Sequence, residues 1–218
     1  MLEKLPDMLG HALRNQRAGL DKIAFNQTDL RPGMGAIEVR SIAFVDHAPI
    51  PVPYTADGEG LSPPLQWAGV PAGAASVVLI VEDADAPTPQ PLVHAIVVGL
   101  PGADGALAQG AMPSGDHEPV LEAGVEVGRN SFLQAAWLPP DPPPGHGVHR
   151  YAFQVFALAA GDAFSGTPGR DELLDALRER ALASGCLIGT YERPDGSVRN
   201  DADEAETAPT MMPGAMAI

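Results

Sequence analysis

The stretch Ser76-Val77-Val78-Leu79-Ile80-Val81-Glu82-Asp83-Ala84-Asp85-Ala86-Pro87 decides how the chain folds. Five aliphatic residues in a row, four of them β-branched, are too few for a buried helix and suit a central strand covered on both faces. Prolines 87, 89 and 91 then hold the chain in a loop, and Val93 to Val98 supplies a second run of the same kind. A third buried strand is predicted over His149–Leu158, where aromatic and branched residues alternate less cleanly.

On the N-terminal side of this core, Ala48 to Pro71 is rich in turn residues, with Trp67 as the anchor of Ser62-Pro63-Pro64-Leu65-Gln66-Trp67. Ile37, Val39, Ser41 and Ala43 alternate at period 2 and predict a half-buried strand. Arg31-Pro32-Gly33 breaks the chain before it, and Leu2, Leu5, Leu9, Leu13 and Leu20 predict an amphipathic helix over about residues 2–19, ended near Gly19. That helix needs a partner surface, either its own domain or a second copy of the chain. On the C-terminal side, Thr167-Pro168 followed by Asp171 and Glu172 predicts a helix running to about Ser184. Gly185 then reads as its stop and Cys186–Tyr191 as a last short strand. From Pro194 onward the composition lacks the apolar density to offset ordering entropy. The organisation expected is a helical arm over 1–31, one domain over 32–193 and a disordered acidic tail over 194–218.

Composition narrows the classes of function. Of 218 residues, Pro contributes 23 and Gly 24, too many for a helix bundle, while a hydrophobic content of 45% and a charged content of 19% are those of an ordinary core-forming chain. The net charge of −15 repels nucleic-acid backbones and anionic membrane surfaces, so neither is an expected partner. Cys186 is the one cysteine, which forbids an internal disulfide and fits a reducing compartment. There is no signal-like or membrane-spanning apolar run, and the protein is expected in the cytoplasm.

Three stretches place ionisable groups at strand ends, where loops form pockets. In the first, Asp83 and Asp85 point the same way if strand extension persists past Glu82. The second is His94, inside an otherwise Val, Ala and Ile strand. In the third, Pro142-Pro143-Pro144-Gly145-His146-Gly147-Val148-His149-Arg150-Tyr151, His149 and Tyr151 share a face and Arg150 takes the other. His146 reads as a loop residue. Taken singly, the two aspartates could be turn caps and His94 a satisfied core histidine.

Together these stretches resemble the phosphatidylethanolamine-binding proteins, in their bacterial Raf-kinase-inhibitor-like branch. Ser62-Pro63-Pro64-Leu65-Gln66-Trp67, Asp83-Ala84-Asp85-Ala86-Pro87 against the family's D-P-D-A-P, His94, and Gly145 to Tyr151 against its G-x-x-x-H-R-Y agree in order and spacing over about residues 36–192. The resemblance implies a mostly β fold, an antiparallel central sheet packed on a second sheet, with a few peripheral helices. It implies a small anion pocket formed by Asp83, Asp85, His94, Pro143, His149 and Tyr151, with Trp137 where relatives often place an aromatic, and a cis peptide before Pro87. Ala84 departs from a frequent proline, and Pro139 and Pro140 stand where many relatives have small residues.

The function expected is that of a non-enzymatic protein with no cofactor that binds a small anion, a phosphate or phospholipid headgroup or a carboxylate. Asp83 and Asp85 would orient His94 and His149 towards the ligand, and affinity would rise as pH falls from about 8 to 6. Two other readings remain open at this point. Two Asp and two His could hold the ion of a metal-dependent hydrolase, although no H-E-x-x-H motif is present. The family's name also suggests a protein regulator of the kinase- or protease-inhibitor kind. A homodimer through the arm helix is the expected oligomer if the arm does not pack on its own domain.

Overall fold

The computed structural model describes residues 7–27, 35–114, 120–164 and 166–193. Three long antiparallel neighbours carry it: β4 (Ser76–Asp83) lies between β5 (Leu92–Pro101) and β8 (His149–Leu158). β9 (Ala181–Tyr191) and the short β1 (Gly35–Ala36) extend the sheet beyond β8, and β7 (Glu126–Gly128) closes the other edge. β1 runs parallel to β9, and the other pairs are antiparallel. A second sheet holds β2 (Glu38–Arg40), β3 (Leu65–Ala68) and β6 (Gly105–Leu107) in the order β2-β3-β6. The fold is therefore mostly β with two sheets, as the sequence predicts.

The continuous apolar run of β4 follows from its two covered faces. Val77, Leu79 and Val81 point to the core between the sheets with Trp67, Val97, Phe153 and Val155. Val78 and Ile80 point the opposite way, with Ile96 and Phe156, against Leu173, Leu174 and Leu177 of helix α3 (Arg170–Arg180) and Ala24 of helix α2 (Ala24–Gln27). Each fully buried aliphatic side chain contributes about 1.5–3 kcal/mol. The same alternation carries Glu82 to the helical side, where its carboxylate accepts hydrogen bonds from Arg170 Nε at 2.6 Å, the Ala24 amide at 2.7 Å and Gln154 Nε2 at 2.9 Å. It delivers Asp83 to the opposite side.

Several expectations are corrected. The C-terminal helix ends at Arg180, and Ala181 to Gly185 belong to β9, because pairing along β8 outweighs the helical preference of Ala-Leu-Ala-Ser. Gly185 marks a crossing: a Cβ there would lie 2.0 Å from the Ile37 carbonyl oxygen, where the chain leaves β1 for β2. Of the strand expected from Ile37 to Ala43 only Glu38–Arg40 forms, and β1 just before it belongs to the other sheet. In the arm, helix α1 (Asp7–Leu13) stops well before Gly19, because the Ala18 and Gly19 amides donate to the Ala86 and Ala84 carbonyls and cannot also close helical turns. The surface this segment meets is its own domain. Every peptide bond among the described residues is trans, the one before Pro87 included. The start of the arm and the acidic segment 194–218 lie outside the described residues.

Gly185→Ala should lower stability by about 1–3 kcal/mol through overpacking against Ile37. Gly73→Ala, whose Cβ would meet only Leu182 at 4.0 Å, should stay within about 0.5 kcal/mol of wild type. Urea midpoints of the two variants check this, and equal midpoints would contradict the crossing.

Candidate functional site

Where β4 ends and β5 and β8 begin, a cavity of about 340 Å³ opens among Asp83, His94, His149, Tyr151 and the loop that carries Gln134, Leu138, Asp141 and Pro143. Most of its wall is apolar, from Ala86, Pro87, Leu92, Phe132, Pro139 and Pro142. Strand register explains the polar patch: Asp83 pairs with Tyr151 across β4 and β8, and His149 stands two residues from Tyr151 on the same face.

Asp83 has both oxygens engaged. Oδ1 accepts the Asp85 amide at 2.8 Å and Oδ2 meets His149 Nδ1 at 2.7 Å. His149 Nε2 lies 2.7 Å from His146 Nδ1, and His146 Nε2 lies 2.9 Å from the Leu13 carbonyl oxygen. These three gaps form a chain from a carboxylate to a carbonyl, and each needs one proton. A carboxylate and two neutral imidazoles supply two. A third proton would make the unit electrically neutral and leave Asp83 with no net negative charge at the cavity. Burial first, then His149 and Arg17, holds His146 below the ordinary histidine range.

His94 differs. Its Nδ1 lies 2.6 Å from the Leu138 carbonyl, which can only accept, so Nδ1 carries the ring proton. Nε2 is buried and no described group hydrogen-bonds to it; the same holds for Tyr151 Oη and Trp137 Nε1. Burial pushes the His94 ring below its usual range and the Tyr151 phenol well above its own. At neutral pH the His94 and Tyr151 side chains that line the cavity are therefore a neutral imidazole with a bare Nε2 lone pair and a phenol that keeps its O–H.

The sequence-named residues fall into two groups. Asp83, His94, Pro143, His149 and Tyr151 line the cavity. Asp85 does not: strand extension ends at Asp83, the chain turns, and Asp85 faces away from the cavity to Arg150 (2.7 Å to each oxygen) and Arg17 (2.9 Å). Burial opposes its ionisation, but the two guanidiniums together hold its carboxyl below the ordinary carboxylate value. Trp137 sits behind the lining, its ring 6.1 Å from that of His94 and 6.2 Å from Phe153. His149 has no ring nitrogen left for a ligand.

Sequence reasoning missed three supports. His146 is fully buried beside His149; the glycines flanking it, with φ of 74° and 93°, are the local signal that the loop folds back. Arg17 reaches Asp85 and the Val148 and His146 carbonyls from the arm, and buried Arg193 binds Asp57, Asp141 and the Pro142 carbonyl beneath the pocket loop. Neither has a short-range signal. Among the described residues no group of three or more His, Cys, Asp and Glu is placed to hold a metal ion.

A two-sheet β domain with a preformed, mostly apolar cavity and a few aimed polar atoms is a ligand-binding protein in architecture. The sequence pattern described as "Phosphatidylethanolamine-binding protein" matches residues 40–192, and the chain belongs to that family. A UPF0098 protein of Mycobacterium bovis is 37% identical over 161 residues, 74% of this chain and 73% of the relative. A solved phosphatidylethanolamine-binding protein homologue from Chlamydia trachomatis superposes with a TM-score of 0.64 at 33% identity, covering 73% of this chain and 99% of that one. YbcL of E. coli gives a TM-score of 0.64 at 27% identity, covering 72% and 99%. No helix among the described residues is long and apolar enough to cross a membrane.

Arg17→Met removes one of the two cations that keep Asp85 ionised. Asp85's depressed pKa contributes stability that is present above the ordinary carboxylate range and lost as pH falls through the depressed value. The variant should lose about 1–2 kcal/mol at neutral pH and unfold at higher pH on acid titration followed by circular dichroism. An unchanged acid midpoint would contradict the pairing.

Proposed function

We propose that the chain is a non-enzymatic binding protein that takes a small anion, a phosphate or phospholipid headgroup, in the cavity beside Asp83. One observation carries this reading: two residues that line the cavity, Tyr151 and His94, each keep a buried polar atom, Oη and Nε2, that no described group hydrogen-bonds, and we read the carboxylate beside them as neutralised by its own histidine chain. An unpaired buried polar atom costs about 1–3 kcal/mol; a ligand oxygen removes that cost at the Tyr151 O–H, and a ligand O–H removes it at the His94 Nε2 lone pair. In an apolar wall the resulting hydrogen bonds are stronger than at a surface.

Two features support binding over chemistry. Asp83 and His149 are bonded to each other and Asp85 to two guanidiniums, which leaves the group expected for a hydrolase ion otherwise engaged. The Cys186 thiol, pushed up to about 12 by burial, is not an activated nucleophile. We read the compartment as cytoplasmic from this lone thiol.

Tyr151→Phe keeps the ring and deletes the O–H. Calorimetric titration with O-phosphoethanolamine should show affinity about tenfold weaker, the worth of one hydrogen bond to a charged group. The unliganded variant should melt no lower than wild type, because a buried unpaired group is gone. Equal affinity in the two proteins would contradict the role of Tyr151.

A further inference from the structure

We propose that the pocket binds its oxyanion together with one proton, held between His94 Nε2 and a ligand oxygen, and so selects phosphate esters over sulfate esters of the same shape. This rests on the anion reading above.

The geometry leaves one place for that proton. His94 Nδ1 gives its hydrogen to the Leu138 carbonyl at 2.6 Å, so the neutral ring offers only a lone pair at Nε2. His149 cannot substitute, since Asp83 and His146 each lie 2.7 Å from its two ring nitrogens. A fully ionised oxygen at Nε2 would set lone pair against lone pair inside an apolar wall, which is unfavourable in any buried site. One proton removes the conflict. It sits either on the ring, which then donates to the oxygen, or on the ligand, whose O–H donates to the ring. Both descriptions have the same composition: protein plus ionised ligand plus one proton gives the complex. Tyr151 Oη then donates to a second ligand oxygen.

The groups around His94 bear on where the proton comes from. Asp83 faces it from β4, His149 and Tyr151 from β8, and Asp141 from the pocket loop. Asp83 and His149 are joined by their own proton, Asp141 is paired with Arg193 at 2.7 Å, and Tyr151 keeps its hydrogen at neutral pH. None of them is available to protonate His94, so the proton comes from solvent or with the ligand. A phosphate monoester, with a second pKa of about 6, brings it readily. A sulfate ester has the same charge as the protonated phosphate ester but no hydrogen to give, and would have to force the proton onto a buried ring.

Calorimetry of the full chain with O-phosphoethanolamine near pH 8, in two buffers of different ionisation enthalpy, counts the proton. Uptake of about one proton per ligand is expected, with affinity falling about tenfold per pH unit above the ligand's pKa. Ethanolamine O-sulfate should bind at least about tenfold more weakly, one protonated hydrogen bond being lost. In His94→Gln, whose amide can donate directly, uptake should fall towards zero; if this variant does not fold, the sulfate comparison in wild type decides. Binding of O-phosphoethanolamine without proton uptake, or equal affinity for the sulfate ester, would overturn the inference while leaving the anion reading in place. Binding of neither probe would overturn both.

Discussion

The hydrogen bond between Asp83 Oδ2 and His149 Nδ1, at 2.7 Å and almost wholly buried, is the interaction on which the site depends. It joins the ends of the two central strands and, with the proton proposed for it, removes the net charge of a carboxylate at the cavity wall. It also fixes the His149 ring so that its other nitrogen meets His146. Without a second partner, Asp83 would be a buried charge, which proteins tolerate poorly. With His149, His146 and the Leu13 carbonyl in line, it becomes the end of a hydrogen-bonded chain that reaches the N-terminal arm.

That arm lies outside the matched segment 40–192, yet it completes the back of the site. Its backbone pairs with Ala84 and Ala86, Arg17 neutralises Asp85, and Gly10 lies so close to the Pro144 carbonyl that a Cβ would be 1.9 Å away. The pocket loop is held in a comparable way from the other end of the chain, where Arg193 bridges Asp57 and Asp141. A protein of net charge −15 thus surrounds its cavity with carboxylates that are each paired, so the overall charge is not the local one.

How far the sequence could be read depended on the range of the forces involved. β8 was legible to the residue, and β4 to within one, because a buried central strand writes its own apolar run. The end of α3 was not legible: Ala181-Leu182-Ala183-Ser184 favours a helix locally, and only the long-range pairing with β8 makes it a strand. Asp83 and Asp85 were expected on one side from period-2 alternation, and the turn at Ala84 separated them. Asp83, His94, His149 and Tyr151 nonetheless lie at one end of the sheet, because each sits near the end of its own strand and the pairing of β4 with β5 and β8 brings those ends together. Arg17, Arg193 and the carbonyls of Leu13 and Leu138 act from distant segments, and nothing near them in sequence announces it.

The most direct measurement of the central claim is proton NMR of protein labelled with nitrogen-15 in histidine, recorded unliganded at neutral pH. The account predicts a low-field, hydrogen-bonded proton in each of the three gaps between Asp83, His149, His146 and the Leu13 carbonyl, with His94 carrying its proton on Nδ1 alone. A His149 Nδ1 that faces Asp83 with no proton between them would contradict it.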